Sequence, residues 1–216
     1  MILTPHLKNL LKQYKTILDD EEFSSFEKEV QRLLRHYTQH ISGFEAGVKR
    51  GREIHRLIDE QVELSPQIKT SCKKGCGSCC QLEIEITSDD AAILAQSVNF
   101  GVSINVERLN EQAQRSRLDE KWARGFVHEN RCVFLGDDNA CRNYDNRPSV
   151  CRKHSVVSPV KECDFLGGSP VPKILPAAEI IMSVVINLSD VSFASLPKML
   201  RSALDYPIGV DLQIEN

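Results

Sequence analysis

Four of the chain's eight cysteines fall within nine residues, as Cys72-Lys73-Lys74-Gly75-Cys76-Gly77-Ser78-Cys79-Cys80. Gly75 and Gly77 lie inside that run, so it reads as a tight loop rather than a regular element. An unpaired cysteine is often a core residue, which accounts for one or two of them but not for four beside glycines. A Cys-x2-Cys pair in a glycine-rich turn is a usual half-site for tetrahedral thiolate coordination, because the turn brings two sulfurs to one ion and frees backbone N–H groups to hydrogen-bond them. A second set, Cys132, Cys141, Cys151 and Cys163, follows at gaps of eight, nine and eleven residues. All eight are candidate metal ligands. Soft thiolates select zinc or an iron–sulfur cluster over magnesium or calcium.

Whether the thiols stay reduced depends on the compartment. The start, Met1-Ile2-Leu3-Thr4-Pro5-His6, lacks the basic and apolar stretches of a secretory signal, so a cytoplasmic protein with metal-binding cysteines is expected rather than a disulfide framework. The most apolar stretch, 174–188, contains Glu179, Ser183 and Asn187 and falls short of the roughly 20 residues a bilayer demands. It reads as a buried helix, and no membrane partner is expected. A net charge of −3 offers no basic field for nucleic acid, and no nucleic-acid partner is expected. A chain of 216 residues can bury a core without help, which favours a functional metal site over a mere staple.

The expected fold class is mainly α with a small β-hairpin and short strands (α+β), a cysteine-rich metal-centred core flanked by N- and C-terminal helices. Residues 1–65 form a helical N-terminal region. Leu7, Leu10, Leu11, Tyr14, Ile17 and Leu18, and then Phe23, Phe26, Val30, Leu33, Tyr37, Ile41, Phe44 and Val48, recur at helical spacing, which continues through Ile54, Leu57, Ile58 and Val62. Gly43, Gly47 and Gly51 fall four apart, on one face if the helix is continuous. They mark either close approach of another helix, even of a second subunit, or a break. A protein partner or homo-oligomer through these helices is therefore an expectation.

Residues 66–170 form the cysteine-cluster domain, opening after the breaker Ser65-Pro66. Within it 82–86 alternates as a short strand, Thr87 or Ser88 starts a helix, 105–118 forms another, and 132–144 reads as a hairpin around Gly136-Asp137-Asp138-Asn139. Residues 171–216 form C-terminal helices packing on the core, over 177–188 and 196–204.

Adjacent residues in an extended backbone point opposite ways, so Cys79 and Cys80 are expected to serve different neighbours. Thiolates bring negative charge, and Lys73, Lys74, Arg131, Arg142, Arg147, Arg152 and Lys153 lie nearby in sequence. Arg147 and Arg152 flank Cys151 and are the expected charge compensators. His154 is a candidate nitrogen ligand. Asp145 and Glu83 are candidate acid–base groups, more simply solvated or capping. Trp122 reads as a packing residue, and His6, His36, His40, His55 and His128 carry no particular role.

The blocks Cys72–Cys80, Cys132-Val133-Phe134-Leu135, Cys141-Arg142-Asn143-Tyr144 and Asn146-Arg147-Pro148-Ser149-Val150-Cys151-Arg152 together resemble the zinc- or iron-chelating domain family named for its CxxCxxCC signature, the YkgJ-like cysteine-cluster proteins. The likeness runs through roughly residues 70–165; the first gap here holds three residues rather than two. The resemblance implies a metal-chelating domain of unassigned role, and a link to flagellin lysine N-methylases that carry a similar domain. No glycine-rich nucleoside-binding loop supports that activity. Cys72-x3-Cys76-x2-Cys79 also has the spacing of radical S-adenosylmethionine enzymes, but 88–130 lacks the alternating strands and helices those need. Three functions stay open: a metal- or cluster-binding protein, a metal- or cluster-dependent enzyme, and a structural zinc module for protein–protein interaction.

Overall fold

The computed structural model describes residues 1–65, 69–122, 127–163 and 167–204. Three helices lead. Helix α1 (Pro5–Ile17) starts at Thr4, whose hydroxyl accepts the Leu7 N–H at 3.3 Å. Helix α2 (Asp20–Ile41) opens with a capping box, in which Asp19 accepts the Glu22 N–H and Glu22 accepts the Asp19 N–H. Helix α3 (Val48–Leu64) follows a turn. Their apolar stripes close over one cluster with α7 (Pro176–Val185), where Leu7, Val30, Leu34, Ile41, Ile54 and Ile58 meet Ile181, Val184 and Val185.

A second cluster joins β1 (Glu85–Thr87), α4 (Ser88–Asn99), α5 (Val106–Gln114) and α8 (Leu196–Ala203), around Ile86, Leu94, Leu109, Phe134, Leu196 and Leu200. The apolar segment after residue 171 is thus divided: α7 packs with the leading helices, and α8 with the cysteine-bearing half. Strand β1 pairs antiparallel with β2 (Phe193–Ser195), Glu85 opposite Ser195 and Thr87 opposite Phe193. The mixed, mainly helical fold with little strand is the one read from sequence. No described helix is long and apolar enough to cross a membrane.

Of the two readings of the glycine spacing the break holds, and two other local expectations are corrected. Gly43 and Gly47 lie in the turn before α3, so the glycines do not share a helix face. Gly47 adopts φ 91°, and only Gly51 is a close approach: a Cβ there would sit 2.8 Å from Ile93 Cδ1 and 2.9 Å from the Asp89 carbonyl, both on α4 of the same chain. The 132–144 hairpin is reduced to a single bridge, Leu135 with Cys141, closed by a Gly136 N–H to Ala140 carbonyl bond of 2.9 Å. Helix α5 ends at Gln114 rather than near 118, because Arg115 turns off to stack on Trp122 at 4.4 Å and to donate to Asn130 at 2.7 Å. Pro66, and the tail after Leu204, lie outside the described residues.

Candidate metal centre

The first cysteine loop is held against the second set by backbone. The Cys132 N–H donates to the Cys80 carbonyl at 2.7 Å, and the Ser71 N–H to the Val156 carbonyl at 2.9 Å. Gly77 lets the loop press on the 132–144 turn; a Cβ there would lie 3.0 Å from the Asn139 carbonyl and 3.1 Å from Leu135 Cδ1. As a result Cys72, Cys76, Cys79, Cys80, Cys132, Cys141 and Cys151 all line one cavity of about 460 Å³. Cys163 ends a 3-10 turn (Val160–Cys163) outside that lining, with its nearest thiol neighbours Cys72, Cys76 and Cys79. All eight cysteines are free thiols. Among the described residues, no three His, Cys, Asp or Glu side chains are already drawn together as a metal-holding group. The sulfurs share a cavity rather than a closed coordination set.

Cys79 and Cys80 sit in a 3-10 turn (Ser78–Gln81), not in extended chain, so the expected opposite orientation is not found. Their sulfurs are hydrogen-bonded to each other. That bond to Cys80, helped by Arg147, lowers the Cys79 thiol and, with burial, holds Cys80 far above the ordinary thiol range. Burial pushes Cys132 up to about 12 and raises Cys72, Cys141 and Cys151. Backbone N–H groups meet several sulfurs: Val156 donates to Cys72 at 3.4 Å, Phe134 to Cys132 and Asn143 to Cys141. Such bonds stabilise thiolate, as a metal-bound sulfur requires.

The cations divide by role. Arg147 lines the cavity, stacks on Tyr144 at 4.0 Å, lowers Cys79 and Cys141, and has no carboxylate partner among the described residues. Arg152, the other expected compensator, is spent elsewhere: it pairs with Asp59 of α3 and donates to the Arg147 and Asp145 carbonyls. Lys153 pairs with buried Glu179 of α7 at 2.6 Å. His154 and Glu83 line the cavity, with burial lowering His154; Glu83 also accepts the Leu118 N–H at 3.2 Å. Asp145 does not reach the cavity lining.

Sequence reasoning missed the buried carboxylates that position the site. Asp90 accepts from the Ser149 N–H at 3.0 Å, the Ser149 hydroxyl at 2.9 Å and His55 Nε2 at 2.8 Å. Ser149 opens α6 (Ser149–Lys153), the short helix that carries Cys151. Asp90 therefore ties Cys151 to both α3 and α4. The adjacent Asp89 pairs with Arg50 of α3 at 2.6 Å, and Arg50 with Asp190 at 2.8 Å. An Asp-Asp pair at a helix start looks like capping, and Thr87 does cap α4 with Asp90 in a capping box. Nothing in that local pattern reveals partners 35 and 59 residues away.

Comparison with known families gives one match. Residues 71–168 fit the CxxCxxCC family, described as "Putative zinc- or iron-chelating domain". No curated protein and no solved structure matches the chain. The matched span contains all eight cysteines. The cysteine-bearing segment 71–168 is thus similar to the CxxCxxCC family, whose domain is described as zinc- or iron-chelating.

Proposed function

We propose that this protein holds zinc or an iron–sulfur centre between its two cysteine sets, with Cys72, Cys76, Cys79, Cys80, Cys132, Cys141 and Cys151 as the ligand pool and Cys163 at its margin. The observation that carries this reading is that seven cysteines, drawn from positions 72–80 and 132–151, line a single cavity. The donor set fits. It is all soft sulfur, it is supplied with N–H donors, and Arg147 stands beside it as the compensating cation. Seven sulfurs exceed the four that one tetrahedral ion takes. That favours a polynuclear centre, or two neighbouring ions, over a single closed site.

The raised thiols of Cys132, Cys141 and Cys151 must lose their protons to the ion, so binding releases protons and tightens as pH rises. Anaerobic purification with metal and sulfide analysis, beside a visible spectrum, tests the reading and separates iron–sulfur from zinc. Cys76→Ser and Cys79→Ser should each lose metal and lower stability; full metal content in either variant counts against the assignment. Arg147→Gln should weaken binding less than either cysteine change, by about 3- to 10-fold, the worth of one partly screened charge. Unchanged affinity in a competition titration removes Arg147 from the site.

A further inference from the structure

The cavity is larger than its sulfurs. Part of its wall is hydrocarbon, including Ile84, Leu94, Phe134, Val150 and Leu196, none of which can ligate an ion. Apolar wall of this kind is matched by an apolar molecule, and a volume of about 460 Å³ lies in the range of small-molecule sites. Two of the lining side chains, Trp122 and Asn143, are 8% and 3% exposed. Trp122 Nε1 and Asn143 Nδ2 are the only buried side-chain nitrogens or oxygens among the described residues that lack a hydrogen-bond partner. A buried N–H without a partner is costly, and such groups are rarely left so without a reason. Both are donors, so the group that satisfies them is an acceptor.

We infer that the cavity beside the cysteines binds an uncharged organic molecule with an apolar body and carbonyl-type acceptor atoms, which Trp122 and Asn143 meet with their N–H groups. Charge argues for an uncharged molecule. The two orphan groups are neutral N–H donors, and the two guanidinium groups in the lining have neighbours of their own, Arg147 on the Tyr144 ring and Arg152 on Asp59. This site goes beyond the metal reading and does not require it, since neither donor is a proposed ligand.

Trp122 is the only tryptophan in the chain, so its emission reports on the cavity directly. Nile red is a suitable probe: neutral, apolar, with acceptor atoms and no donors. Titrated into the purified full chain, it should bind saturably at one equivalent, with a blue-shifted emission and quenching of Trp122. Asn143→Leu, and Trp122→Phe read by dye emission alone, should each weaken binding about fivefold, the worth of one hydrogen bond. Metal content and circular dichroism are measured on every sample. Failure of saturable binding in metal-loaded, folded protein overturns the inference. So does wild-type affinity in both variants, which would assign the dye to the outer surface. Loss of metal with dye binding intact overturns the metal reading and leaves this one standing.

Discussion

Asp90 is the residue on which the placement of Cys151 turns. Burial pushes its carboxyl up, but His55 and the Ser149 N–H and hydroxyl outweigh that and hold it below the ordinary range. It stays ionised with its hydrogen bonds made. Asp90→Asn removes the charge and leaves an amide facing donors, a change that costs about 2–4 kcal/mol for a buried network of this kind. For a chain of this size that is a fall in Tm of roughly 5–15 °C. Ser149→Ala, which keeps the backbone bond, should cost less. Calorimetry on both variants orders them; equal losses would show that the hydroxyl, not the carboxylate, is the anchor. Gly51 is a second such point. Its Cα lies so close to α4 that Gly51→Ala should destabilise by about 1–3 kcal/mol through overpacking, read as a lower denaturant midpoint.

Among elements, α3 is the beam against which the cysteine-bearing half is set. Arg50, His55 and Asp59 reach from it to Asp89, Asp90 and Arg152. It is held to α2 in turn by Glu53, which Arg56 and then His40 keep down at about 2. A carboxyl lowered from 4.5 to about 2 adds stability that is present above its unfolded value and lost as pH falls toward about 2. Glu53→Gln should therefore be less stable than wild type at neutral pH, with the gap closing on acidification; urea midpoints at pH 7 and pH 2.5 check the sign. Much of this layer was legible in the sequence. Helical spacing predicts α1, α2 and α3, and the capping residues predict the start of α4. The tertiary links were not, because a buried Asp and a surface Asp look alike in a string of letters. The glycine spacing alone could not choose between a close approach and a break, because periodicity is blind to a turn: α2 ends at Ile41, and Gly47, with its positive φ, stands at the start of α3. The cysteine sets were the strongest signal, and their meeting in one cavity needed only backbone bonds that any residue can make.

At the scale of the whole molecule, the leading helices and the cysteines belong to different hydrophobic clusters. The first hydrophobic cluster, built by α1, α2, α3 and α7, contains no cysteine, whereas Cys132 and Cys141 pack against the second. Removing metal with a chelator should therefore leave most of the far-ultraviolet helical signal while changing Trp122 emission and lowering the midpoint of the cysteine-bearing half. A full collapse of helicity on chelation would mean that the two clusters fold as one unit.

The embrace of α7 by the leading helices has a consequence for synthesis. Thr4 donates through its N–H to Ser183 and through its hydroxyl to Glu179, and Ile2 bonds Asn187. During translation, α1 to α3 leave the ribosome with their greasy stripes bare, and their partner follows only after more than a hundred further residues. Until then that apolar surface lacks its partner, and closure of such long-separated contacts is expected to be slow, which a refolding rate measured by stopped-flow circular dichroism checks.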